Sequence, residues 1–380
     1  MRKTSVCGRM EYGFWILNSG HQTARYMCHT KHVAQVSPVK WQHQGGEKAM
    51  KMSRRERLEA TIRGEAADRP PVALWRHFPG DDQDPAELAA STVAFQGQYD
   101  FDFVKVTPAS SFCVRDWGAE DRWVGNEEGT REYIRRPIVR PEDWHSLSPL
   151  DPGWGALGAQ LHCLERIHEA LGDRVPFIQT IFNPLTQAKN LAGQWVMLAH
   201  LRQAPDAVRA GLAVIAESTM RFIEAARKRG IAGIFLAAQH ASYELLSEAE
   251  YREFGVSFDR HLLEAADGLW LNVLHLHGGR VMFDLLADYP VHVVNWHDRE
   301  TPPTLGEGQA RVKGAVLGGL RQWETMVRGS PADVRREALD AFRQTGGRRF
   351  ILGTGCVTPI TAPWANLRMA RTVVEELSRP

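Results

Sequence analysis

The chain has 380 residues, 43% of them hydrophobic and 24% charged, and a formal net charge of +1. A near-neutral balance gives no electrostatic reason to expect nucleic acid or an anionic membrane as partner, and no apolar run reaches the roughly 20 residues of a membrane-spanning helix. The five cysteines, Cys7, Cys28, Cys113, Cys163 and Cys356, are odd in number and scattered, a pattern of free thiols in a reducing compartment. The composition therefore predicts a soluble, cytoplasmic protein.

Residues 1–52 stand apart. They hold eight Lys/Arg, two Glu, no Asp and four His, without apolar periodicity, and the patch Phe14 to Leu17 is too short for a signal segment. A disordered extension is expected, or one created by an upstream start, because Met50 and Met52 directly precede a helix start. Ser53 reads as the N-cap of that helix and Arg54 to Ile62 as its body. The folded domain is expected over residues 53–380.

From residue 70 short β-rich runs alternate with helical stretches, the pattern of βα units around a parallel sheet. Strands are predicted at Pro71–Arg76, Phe101–Pro108, Pro176–Phe182, Gly233–Gln239, Trp270–His277, Val291–His297, Ala315–Leu320 and Arg349–Cys356. Eight such runs suit an α/β fold of one closed (β/α)8 TIM barrel better than an open sheet. Amphipathic helices are predicted at Pro205–Arg229 and Pro331–Thr345, the latter opened by Ser330 and a proline at the first helical position. Residues 109–175 are too long for a simple crossover. They predict an insertion between the second and third strands, with a β-hairpin within Thr130–Val139 and a helix near Gly158–Leu171.

The predicted strands end in polar residues, at the rim where barrels carry their catalytic groups. Arg76 and His77 end the first, Lys105 and Thr107 the second, Asn183 the third, and Gln239 and His240 the fourth. Arg76, His77, Lys105, Gln239 and His240 are the candidate catalytic and substrate-orienting residues. Positions i and i+2 of a strand share a side, so His275 and His277 face one way. Cys356 reaches them if the fifth and eighth strands oppose each other across the barrel mouth. Two imidazoles and a thiolate form a zinc-binding set, with His297 or Asp298 as a fourth ligand. The other reading of the same residues is two hydrogen-bonded histidines beside a buried thiol. Gly318-Gly319 and Gly353-Thr354-Gly355 offer either tight turns or an anion cradle.

Three blocks resemble the uroporphyrinogen decarboxylase superfamily. They are Arg57-Leu58 to Arg63-Gly64-Glu65 with Asp68-Arg69-Pro70-Pro71-Val72, then Leu274-His275-Leu276-His277-Gly278-Gly279, then Phe350 to Cys356 followed by Pro359, Pro363 and Asn366. The resemblance spans about residues 53–378 and implies the same barrel. Decarboxylases of that superfamily hold propionates with an arginine pair and use an aspartate, a tyrosine and a histidine. Here those positions fall on Arg76 without a second arginine, on Thr107-Pro108, near Asn190, and on Cys356. The methyltransferase branch holds zinc through a histidine and a cysteine two apart plus a later cysteine. Carried over, these become His275, His277 and Cys356, with His277 standing where cysteine is usual. That branch implies a zinc-dependent enzyme moving a methyl group between a corrinoid and a small substrate, with methylcobalamin on a separate carrier protein; the superfamily implies homodimers. A nitrogen-rich donor set makes zinc the stronger Lewis acid, which suits an oxygen-bearing substrate such as a methyl ether. The alternatives are a porphyrinogen carboxy-lyase using Arg76 to hold a carboxylate, and a non-catalytic barrel that binds a metal or tetrapyrrole.

Overall fold

The computed structural model describes residues 51–377; the expectation for residues 1–52 lies outside these, apart from Lys51 and Met52. Helix α1 (Arg54–Arg63) starts with a reciprocal cap. Ser53 accepts from the Glu56 amide while the Glu56 side chain returns to the Ser53 amide, and Gly64 ends the helix at φ 76°. The chain then runs through α2 (Pro85–Tyr99), β1 (Val104–Val106), β2 (Glu120–Arg122), β3 (Glu132–Arg135), α3 (Gly155–Leu171) and β4 (Phe177–Phe182). Three helices follow, α4 (Pro184–Ala192), α5 (Gln194–Gln203) and α6 (Pro205–Arg227), before β5 (Gly233–Ala238). Next come α7 (Glu248–Tyr251), α8 (Ser257–Ala265), β6 (Val273–Leu276), α9 (Phe283–Leu286) and β7 (Val293–Trp296). The chain closes with α10 (Leu305–Arg311), β8 (Ala315–Leu320), α11 (Pro331–Thr345), β9 (Phe350–Thr354) and α12 (Trp364–Val373).

Seven of these strands form one parallel sheet in the order β1-β4-β5-β6-β7-β8-β9. The predicted first strand is a correction: residues 71–75 make no regular ladder, only a bridge from Val72 to Leu352. The reason is local, since Pro70 and Pro71 bring no N–H donors to a ladder. The segment still occupies the eighth place. On one side Ala73 donates to the Leu352 carbonyl at 3.0 Å and Leu352 to that of Pro71 at 2.9 Å; on the other, Asp102 donates to the Val72 carbonyl at 2.9 Å. The barrel is thereby closed between β9 and the start of β1. Asp102, which is 0% exposed, pins this segment. Its carboxylate accepts from the Val72 amide at 2.8 Å, from Arg57 at 2.7 Å and from Arg69 at 2.7 Å.

β4, β5, β8 and β9 are buried at every position, as a parallel sheet covered by helices requires. Crowding selects Gly233 at the start of β5, where a Cβ would come within 1.9 Å of the Leu271 carbonyl oxygen. The insertion also differs from expectation. β2 and β3 pair antiparallel, so only the second strand of the hairpin falls within Thr130–Val139. The turn between them carries two glycines in the left-handed region, Gly125 at φ 86° and Gly129 at φ 80°. Arg131 ties the hairpin down through Asp121 at 2.8 Å and Asp82 at 3.4 Å. No described helix is long and apolar enough to cross a membrane.

Candidate functional site

The C-terminal ends of the strands open into a cavity of about 510 Å3. His275 is the penultimate residue of β6 and pairs in register with Asn295 of β7. The Asn295 amide nitrogen donates to the Leu317 carbonyl at 2.9 Å and to the Thr354 carbonyl at 3.1 Å. Its oxygen is therefore turned to His275, 2.7 Å from Nδ1. Because that oxygen can only accept, the network assigns the proton to Nδ1 and leaves the Nε2 lone pair free. Nε2 lies 3.7 Å from Cys356 Sγ, just beyond β9. His277, one residue beyond β6, places Nδ1 3.6 Å from the same sulfur.

His297 completes the group. It follows β7 directly, its ring centroid is 5.2 Å from that of His277, and Nδ1 meets Glu300 at 3.2 Å. Its Nε2 is buried without a partner. Ligand atoms of His275, His277, His297 and Cys356 all lie within 4.8 Å of one another, and among the described residues no other His/Cys/Asp/Glu group of this size converges so. Tetrahedral zinc with ordinary bond lengths needs a nitrogen–sulfur edge of about 3.6 Å, which the two Cys356 distances match. An orphaned imidazole nitrogen beside a thiol and two further imidazoles fits a metal better than a closed hydrogen-bond set. Burial alone would raise the Cys356 thiol, but the facing His275 and His277 imidazoles hold it well below its ordinary value. Burial lowers His275. Both shifts favour the forms that bind a metal, thiolate and neutral imidazole; His297 goes the other way, since burial would lower it but Cys356 and Glu300 raise it to about 10.

The structure brings some of the rim residues together and leaves others outside. His77, Lys105, Gln239, His275, His277 and Cys356 line the cavity. Lys105 Nζ sits 4.6 Å from the Phe235 ring centroid and 5.6 Å from that of Trp75. Burial lowers Lys105 to about 7 and His77 to about 3. Arg76 is turned away: its Nε donates to the His77 carbonyl at 3.3 Å, and its guanidinium lies 5.6 Å from the Phe78 ring. His240 is 1% exposed, outside the cavity lining, with neither ring nitrogen partnered. Asp298 is committed elsewhere, accepting from the Gly319 amide at 3.1 Å, and of the two fourth-ligand candidates only His297 joins the cluster.

Several cavity residues carried no signal at the strand ends. Glu128, Tyr133 and Arg136 come from the hairpin, which folds over the barrel mouth, and Lys189 comes from α4. Asn183-Pro184 is a readable N-cap and first position, so α4 was foreseeable; which of its faces meets the cavity was not. Asn295 lies near the end of the strand predicted at Val291–His297, but its role of orienting His275 needed the β6–β7 register.

Comparison with known proteins agrees with the barrel. A methyltransferase from Methanosarcina mazei superposes with a TM-score of 0.76 at 18% identity, covering 85% of this chain and 98% of that one. A B12-independent methionine synthase from Shewanella sp. W3-18-1 gives 0.52 at 12% identity, over 81% and 92%. A putative vitamin-B12 independent methionine synthase from Listeria monocytogenes gives 0.50 at 11%, over 83% and 96%. At these identities the likeness is one of fold. No curated protein sequence matches the chain. The uroporphyrinogen decarboxylase (URO-D) family model matches residues 53–377, and the chain belongs to that family.

Proposed function

We propose that this protein is a zinc-dependent methyltransferase that moves a methyl group between a corrinoid and a small substrate held in the barrel mouth. The observation that carries this reading is the convergence of three imidazoles and one thiol, of which His275, His277 and Cys356 line the cavity. When bound there, zinc would act as a Lewis acid, lowering the pKa of a coordinated thiol or hydroxyl group or polarising an ether oxygen. The chain's own residues do the rest. His275, His277 and Cys356 would hold the metal, with His297 in a fourth position that a substrate donor atom would have to take, and Asn295 and Glu300 orient His275 and His297 from behind. Lys105 and Gln239 face the substrate space, and His77, kept neutral by burial, adds a polar group that brings no charge. Methylcobalamin would arrive on a separate carrier protein docking at the mouth. A porphyrinogen carboxy-lyase would need Arg76 in the cavity, and its guanidinium lies against Phe78 instead.

Metal analysis of the purified full chain is expected to give about one zinc per chain, and Cys356→Ala to lose both the metal and methyl transfer from free methylcobalamin. Zinc-free protein whose activity survives Cys356→Ala would sink the reading.

A further inference from the structure

Lys189 and Arg136, in the cavity wall beside the likewise unpaired Lys105, lack the carboxylate partner that many of the protein's arginines have. Arg57, Arg69, Arg131 and Arg299 each meet a carboxylate. Lys189, on α4, donates only to the Gln239 side-chain oxygen at 3.1 Å. Arg136, just after β3, donates to the carbonyls of Lys189 at 3.0 Å and Asn190 at 2.7 Å and stacks 4.6 Å from the Tyr133 ring centroid. Among the described residues neither has an acidic partner. The acids that line the same cavity form no ion pair with them: Glu128 accepts from Gln322 at 2.9 Å, and Glu132 is exposed on β3.

The two cations also oppose each other. Burial lowers Lys189 to about 8, with repulsion from Arg136 adding to it, and burial lowers Arg136 in the same way. Two partly buried like charges with no counter-charge disfavour each other's charged form in the empty protein. An anion placed between them reverses the sign of that interaction. Part of the remaining wall is aromatic, set among polar side chains that include His77, Lys105 and Thr180. Trp75, Phe182 and Phe235 line the cavity, and the Phe235 ring stacks on His275 at 5.3 Å, so an aromatic surface leads to the His/Cys cluster.

We infer that the substrate is a flat, apolar molecule bearing one carboxylate-type anion, which Lys189 and Arg136 hold while the body lies along Trp75, Phe182 and Phe235. This rests on the methyltransferase reading only for what happens at the other end of the molecule. The two cations belong to the insertion hairpin and α4, whereas Arg76, the arginine expected to hold a carboxylate, is outside the cavity.

The test is calorimetric titration of the full, zinc-loaded chain with 4-methoxybenzoate and with its uncharged counterpart 4-methoxybenzamide. The acid is expected to bind at least about tenfold more tightly than the amide, since 1.4 kcal/mol of charge pairing is a factor of ten. Lys189→Met and Arg136→Met are each expected to remove most of that preference while leaving amide affinity within about twofold. Lys189→Gln serves as the second variant should the methionine substitution impair folding, and the acid–amide comparison in the parent protein needs no variant. Equal affinities, a preference that survives both substitutions, or no binding of either compound would overturn the inference. Zinc analysis of the same sample separates the two readings. Protein without zinc that prefers the acid through Lys189 keeps this inference and removes the metal reading. Protein with zinc that binds acid and amide alike does the reverse.

Discussion

Asn295 shows how much of the metal cluster depends on a residue that would touch no metal. Its amide is fixed by two backbone carbonyls, and only that commitment presents its oxygen to His275 Nδ1. Removing the amide frees the imidazole to rotate and to exchange tautomers, and orienting partners of this kind are worth about 10–100-fold in metal affinity. Asn295→Leu is therefore expected to weaken zinc binding by that factor with His275, His277, His297 and Cys356 all intact. Competition with a chromophoric chelator measures it, and an unchanged affinity would show that Asn295 is structural only. The donor residue types were visible in the sequence, and so was the shared side of His275 and His277. Their orientation was not, because it depends on the neighbouring strand.

At the scale of elements, the segment over residues 71–75 and the hairpin are where local pattern and structure part. The apolar run PVALWR reads as a strand, yet its leading prolines deny it a ladder and it is held by Asp102 instead. Replacing Asp102 would leave Arg57 and Arg69 buried beside a missing charge, and breaking a buried ion pair costs about 3–5 kcal/mol. Asp102→Ala should lose stability by that amount in urea unfolding; a loss below about 1 kcal/mol would mean that the prolines and the β9 bridge hold the segment unaided. The hairpin had a different difficulty. Its second strand lay inside the expected window, whereas its first, Glu120–Arg122, is polar and half exposed and has no alternation to mark it.

For the whole molecule, buried ionisable groups set how stability responds to acid. Burial raises Asp259 to about 6, although Tyr251, Asn183 and Tyr289 all donate to it. A carboxyl raised in the folded state takes up its proton before the unfolded one does. Its contribution to stability therefore grows as pH falls from about 6 towards 3.8. His77 and His240, both held at about 3 by burial, act in the opposite direction: the unfolded chain protonates them below about 6.5 and stability is lost. A difference measurement isolates Asp259. The stability of Asp259→Asn relative to the parent should fall by about 2–3 kcal/mol between pH 7 and pH 4, at 1.36 kcal/mol per pKa unit. A pH-independent difference would contradict the raised value.

Most of the strands and helices were determined by the sequence itself. Ala315–Leu320 and Pro331–Thr345 have the predicted bounds, because burial pattern, caps and turn residues act within a few positions. The same is true of the residue types at the rim. Which of those types meet was decided only by the tertiary structure, since Cys356 and His275 are 81 positions apart and come together through barrel closure. Closure also brought His297 into the cluster, kept Asp298 at Gly319, turned Arg76 outward, and laid Arg136 and Lys189 against the cavity. Each of these outcomes depends on side-chain direction and packing between distant segments, and local pattern carries no information about either.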